Sequence, residues 1–348
     1  MYTCFPRSNA HLISTSDHLQ SHFLIPSIIN AIMMVPAASS IRLAPLLGVV
    51  CEISLRLRAG KETTKVSSDG AERGYLRDQK INILTFYTTH ILLSKTAVSA
   101  QASFALREFL AAEVGPDELT KDLQPVMERL LIRSPEVSLP VEDAFFQSYR
   151  FDAGPQLKAL LPGIISASKS SVAETRSKAV SLLSTLLTRS QDEAAIKASS
   201  DELFALLKGA GKTLSPDQRA TLYQMLGSFP QLSADLVVSQ GETIAALLPK
   251  ETTETSLKAA LFALCQRLTF WLRVGSKGLS EPLSKVGQAL SKEMQNAKIS
   301  LRKAACTVVG EMLWNLNRNE APNELLDSLE ETLLSAFEAN LKNATTNT

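Results

Sequence analysis

The chain has 348 residues, enough for two ordinary domains or one elongated array. Hydrophobic residues make up 45% and aromatics 6%, with 15 glycines and 15 prolines; so few turn formers argue for helices and against a many-stranded sandwich. Lys and Arg total 36 against 35 Asp and Glu, so overall charge selects neither nucleic acid nor a membrane surface.

Residues 1–40 read as a leader without a defined pattern. Its longest apolar stretch, FLIPSIINAIMMVPAA (23–38), carries two prolines, a serine and an asparagine. It falls short of the roughly 20 residues that span a bilayer. The polar run SNAHLISTSDHLQSH precedes it, where a signal peptide would have a basic start and then its apolar core. A soluble, cytoplasmic chain that enters no membrane is expected. His18 and His22 stand at i, i+4, with His11 and Cys4 upstream, a spacing that can hold zinc. Leu19 occupies the position where a zinc protease carries Glu, and no third ligand follows at a recognisable spacing, so no metal is expected.

A first helical segment is expected over 41–59. A flexible polar loop follows over 60–77, including GKETTKVSSDGAERG (60–74). Helical repeats should then run from 78 to 342, with a disordered tail at 343–348. The apolar spacing places helices at 79–95, 101–113, 117–132, 136–149, 155–168, 171–188, 200–208, 215–228, 233–248, 252–272, 280–295, 299–316 and 323–341. No segment sustains a period of two, so the fold class is all-α. His90 is the only histidine beyond residue 22 and lies inside an apolar helix, so it reads as a core residue. No Ser/His/Asp or Cys/His set can be assembled, and no enzyme is expected. Cys265 and Cys306 read as reduced, buried, small apolar residues. Asn343-Ala344-Thr345 matches a glycosylation acceptor, but without a secretory signal it carries no meaning.

Gly211-Lys212-Thr213 invites comparison with a phosphate-binding loop. That loop requires glycine five residues before the second glycine and a strand ahead of it. Leu206 stands at that position, and SSDELFALLK before it is an amphipathic helix. Ser200 is expected to cap that helix, Gly209 to close it in a left-handed conformation, and Ser215 to cap the next, with Pro216 first in it. The tripeptide then belongs to a turn between helices. No nucleotide or other small-molecule substrate is expected.

Four segments share one pattern. Arg176, Arg219, Lys258 and Arg302 are each followed by apolar residues at +3, +7 and +10, one face of a helix. They are separated by 43, 39 and 44 residues, which fits helix pairs of the HEAT or armadillo type at about 40–47 residues per repeat. Pro162 and Pro249 fall in the intervening helices, where such repeats bend or stop. The expected architecture is an α-solenoid of stacked antiparallel pairs, which offers a long surface and no enclosed pocket.

Charge is uneven near the end. Lys258–Lys303 holds nine Lys or Arg and two Asp or Glu; 304–348 holds two and seven. The basic block is either a polyanion-facing surface, with Arg273, Lys277, Lys285, Lys292, Lys298 and Arg302 as candidates, or a solvated face balanced by the acidic helix. Arg302 also occupies the repeating position, which suggests a structural cation between stacked helices.

MERLLIRSPEVSLPV (127–141) resembles a known family, the giant HEAT-repeat translational activator of the general amino-acid control pathway, general control non-derepressible protein one. LAPLLGVVCEISLRLR (43–58), DQKINILTFYTTHILLSK (78–95) and LPGIISASKSSVAETRSKAVSLLSTLL (161–187) are similar to its fungal branch, and the resemblance covers about 41–320. Family members are several times longer, and the resemblance is to their amino-terminal part. It implies a non-enzymatic cytoplasmic scaffold for translation regulation that binds ribosomes. It also implies partners in the stress-kinase pathway: the family activates the kinase of initiation factor two alpha under amino-acid starvation. No cofactor follows from it. The stretch lacks the regions resembling elongation factor three and docking the kinase, so no kinase-contact residue carries over. A generic HEAT adaptor for another protein is the alternative.

Overall fold

The computed structural model describes residues 107, 110–111, 114–209, 213–230, 234–274, 280–318 and 324–346; the leader, the segment at 41–59, the loop at 60–77, His90 and most of the first two expected helices lie outside them. Among the described residues every regular element is helical. The chain divides into two compact units, Met1–Leu160 and Leu161–Thr348. Among the described residues no helix is long and apolar enough to cross a membrane.

In the first unit α1 (Pro116–Glu118) runs through a π-helical turn (Leu119–Leu123) into α2 (Gln124–Arg133). The sequence suggested one unbroken helix here. Pro125, second in α2, has no N–H to donate, and the wider turn just before it accommodates that loss. Leu119, Leu123, Met127 and Leu131 recur every four residues and are all buried. α3 (Pro135–Ser148) delivers Phe145 and Phe146, which with Tyr149 form an aromatic cluster with centroids 5.3 to 6.0 Å apart. α4 (Gly154–Ser168) begins in the first unit and ends in the second, and carries the expected internal Pro162.

Glu142 on α3 is fully buried, accepts a hydrogen bond from Ser138 Oγ, and leaves Oε2 without a partner. Burial pushes its carboxyl up to about 8, against the lowering effect of the Ser138 bond. The folded value exceeds the unfolded one, so the stability present below about pH 4.5 is progressively lost as pH rises through about 8. Between pH 5 and pH 7 the chain should lose about 2 kcal/mol. Urea midpoints at the two pH values test this: Glu142→Gln should flatten the dependence, and an unchanged slope would refute it.

The second unit contains α5 (Ala173–Arg189), α6 (Glu193–Gly209), α7 (Pro216–Gly227), α8 (Ala234–Leu247), α9 (Glu254–Val274), α10 (Ser280–Met294), α11 (Ile299–Arg318) and α12 (Glu324–Thr346). α5, α7, α9 and α11 pack side by side in one layer, and α6, α8, α10 and α12 in the other. Adjacent members across the layers form antiparallel HEAT-type pairs, so the fold is all-α as expected. The four repeating cations fall on the four helices of one layer. All twelve apolar residues that follow them are buried, the least so Phe229 at 7%. α8 ends at Leu247 and passes into a 3-10 turn containing Pro249.

Two boundaries differ from the sequence reading. α6 starts at Glu193, capped by Asp192, whose Oδ1 accepts from the Ala194 and Ala195 amides at 3.0 and 3.1 Å. Ser200 is therefore not a cap. It is buried inside α6, and its Oγ accepts from Gln240 Nε2 of α8 at 2.8 Å. A small hydroxyl fits between packed helices when a partner satisfies it. Gly209 is the last residue of α6 and its φ is not left-handed, so it does not close the helix in the expected way. α12 reaches Thr346, past the expected boundary at Lys342, because Asn-Ala-Thr-Thr contains no residue that stops a helix.

Buried polar links tie the layers together. Arg267 of α9, only 3% exposed, donates to Gln240 Oε1 at 3.2 Å, to the Ala263 carbonyl at 2.8 Å and to the Leu226 carbonyl at 2.9 Å. Its guanidinium also lies 5.6 Å from the Phe204 ring centroid. Burial lowers its pKa to about 10, so it stays charged at neutral pH.

Candidate polyanion-facing surface

Because the second helices of each pair share a layer, the turns leading into α5, α7, α9 and α11 line one edge of the second unit. Contacts join the turns before α5, α7 and α9. Gln218 Nε2, in the first turn of α7, donates to the Lys169 carbonyl before α5. Arg176 Nη2 of α5 lies 3.7 Å from Asp217 Oδ2 of α7. Arg219 Nε donates to both carboxylate oxygens of Glu251 at 3.1 Å and Nη2 to Oε2 at 3.0 Å. Tyr223 Oη completes that cluster, donating to Glu251 Oε1 at 3.0 Å. The Glu254 carboxyl is held below its usual range, chiefly by the hydrogen bond from Lys258 and in smaller part by Lys303 of α11.

Three of the four repeating cations have a structural task. Arg176 Nη1 donates to the Ser170 and Ser171 carbonyls, at 2.9 and 3.1 Å. Arg219 Nη1 donates to the Leu214 carbonyl at 2.9 Å, and Arg302 Nη1 to the Asn296 carbonyl at 3.4 Å. Each guanidinium holds the turn that leads into its own helix, using donors a lysine cannot spread so widely. Lys258 instead pairs with Glu254 one turn back, at 2.6 Å.

Every carboxylate from the last turn of the first helices to the second turn of the following ones has a partner. Glu174 pairs with Lys178 at 2.7 Å, Asp217 with Arg176, Glu251 with Arg219 and Glu254 with Lys258. Glu293 is buried and accepts from Asn296 Nδ2 at 2.9 Å. Lys169, Lys208, Lys250, Lys292, Lys298 and Lys303 are exposed on the same stretch, with no ion pair among the described residues. The edge therefore carries uncompensated positive charge.

The structure separates the six residues nominated from sequence. Lys292 and Lys298 stand exposed on this edge. Lys285 bonds Glu281 at 2.9 Å, and that bond raises its pKa. Arg302 is half-buried and turned toward the Asn296 carbonyl. Arg273 lies within α9, but its side chain and all of Lys277 lie outside the described residues. Sequence reasoning missed Lys169, Lys208, Lys250 and Lys303. A signal existed for three: Lys169, Lys208 and Lys250 recur at intervals of 39 and 42 residues.

Gly211 and Lys212 lie outside the described residues, but a helix, α6, precedes them and Ser215 caps α7 after them. Ser215 and Gln218 form a reciprocal capping box, the Ser215 amide donating at 2.8 Å and the Gln218 amide at 3.3 Å. Burial pushes the Cys265 thiol up to about 12, so it stays protonated and unreactive. Cys306 is only half-buried. Among the described residues no three potential metal ligands cluster. An open groove of about 860 Å³ beside Phe262 and Val308 has Lys258 and Glu254 already paired with each other.

Two family models match the chain. One, described as the N-terminal part of the stalled ribosome sensor GCN1, matches residues 80–214. The other, described as the N-terminal part of general control nonderepressible 1 (Gcn1), matches residues 216–348. No curated protein and no solved structure matches.

Proposed function

We propose that this chain, which belongs to the family of the N-terminal part of Gcn1, is a ribosome-associated scaffold in translational control. The observation that carries the reading is the pair of family models, which follow one another along the chain and together span 80–348. One of them describes a sensor of stalled ribosomes. The physical arrangement is compatible: rigid helix pairs, structural arginines turned inward, and free lysines along one edge. Such a surface docks large partners and performs no chemistry of its own. The chain acts in the cytoplasm. Through the resemblance at 127–141 it contributes to activating the starvation kinase of initiation factor two alpha, together with further regions of such a protein.

Sedimentation tests this. Added to a fungal translation extract at low salt, the whole chain should travel with ribosomes on a sucrose gradient. It should enter the nuclease-resistant collided fraction when elongation is partly inhibited. A chain confined to the light fractions under both conditions would overturn the reading in favour of an adaptor unrelated to the ribosome.

A further inference from the structure

We propose that the turn edge of the second unit is a binding ridge for the phosphate backbone of double-helical RNA, with Lys169, Lys208, Lys250, Lys292, Lys298 and Lys303 as its contacts. The proposal deepens the ribosome reading and rests on it for the choice of RNA. Three observations carry it. First, contacts bridge the turns before α5, α7 and α9, Lys169 to Gln218, Arg176 to Asp217 and Arg219 to Glu251, and α11, which follows the fourth turn, packs beside α9 in the same layer. Second, four of the five carboxylates on it, Glu174, Asp217, Glu251 and Glu254, pair with a lysine or arginine, and only the buried Glu293 is held by a neutral amide, so the six lysines outweigh the negative charge that remains. Third, each of its four turns carries at least one of these lysines, at a helix spacing of about 8–10 Å. Four turns then extend the charge over about 30 Å.

The residue chemistry selects the ligand. Lysine is a point charge that meets phosphate without reading base edges, so the ridge should grip a backbone and ignore sequence. Single-stranded RNA is usually held by stacking bases on aromatic rings. Among the described residues the exposed aromatics of the second unit, Phe262 and Trp314, lie more than two turns into α9 and α11, away from these turns. A protein partner would need a central apolar anchor. Among the described residues the exposed large apolar side chains beside the lysines are Val172 and Ile299, one at either end of the ridge.

The test uses the whole chain, a 20-base-pair RNA duplex of arbitrary sequence, and a salt titration. Lys250→Glu, Lys298→Glu and Lys303→Glu together should weaken binding about 100-fold near 0.1 M salt and lower the slope of log K against log salt by about 2 to 3. A charge-matched control, Lys121→Glu, Lys158→Glu and Lys197→Glu, alters exposed lysines elsewhere and should leave both quantities nearly unchanged. Circular dichroism confirms that both variants fold. Equal losses in the two variants would make the binding diffuse and overturn the ridge. So would no loss in either, or tighter binding to polyglutamate than to the duplex. If the ridge variant still travels with ribosomes as the native chain does, the ridge falls and the ribosome reading stands. If the native chain binds the duplex but never travels with ribosomes, the reverse holds.

Discussion

Glu251→Ala should destabilise the chain by about 3–5 kcal/mol, the range for removing one partner of a buried ion pair. The Glu251 carboxylate is 2% exposed and takes three hydrogen bonds from Arg219 and one from Tyr223. Its loss strands a largely buried guanidinium and a fully buried phenol. The phenol's pKa is already raised, by burial first and by Glu251 second. Arg219→Ala should cost nearly as much, and the double variant well under the sum, because each single change already breaks the same unit. Chemical denaturation followed by circular dichroism measures all three. Strict additivity would show that the pair contributes nothing jointly.

Arg267→Ala should cost about 3–5 kcal/mol by a different route. Arg267 pairs with no carboxylate among the described residues; two backbone carbonyls, the Gln240 amide oxygen and the Phe204 ring solvate its charge. Truncation leaves a cavity between α7, α8 and α9 and orphans Gln240 Oε1. Arg267→Lys keeps the charge but cannot reach α7 and α8 at once, so it should recover less than half of the loss. Full recovery by lysine would mean that charge alone, and not the forked geometry, holds these helices. Neither change touches the exposed lysines, so RNA binding by the folded fraction should persist.

The helices of the second unit were legible because each advertises itself locally. A cation with apolar residues at +3, +7 and +10 marks a buried face, and the stretch from Ser215 to Gln218 spells a capping box. The start of α6 was not legible, because Ser199 and Ser200 look like turn residues until α8 supplies Gln240 as a partner. The free edge was harder still. A count of cations between Lys258 and Lys303 includes Arg267, which is buried, and Lys285, which is paired. It misses Lys169 and Lys208, which lie far away in sequence.

The amino-acid order determined the all-α class, the repeat length near 40 residues and the phase of each buried face, since all three depend on neighbours within a turn or two of helix. The same local reach covers the i, i+4 pairs Glu174 with Lys178, Glu254 with Lys258 and Glu281 with Lys285. Tertiary structure decided the other pairings, which join residues 41 and 32 positions apart, Arg176 with Asp217 and Arg219 with Glu251. Whether such groups meet depends on how one helix pair seats on the next. That seating follows from side-chain packing across the interface, which a linear period does not contain.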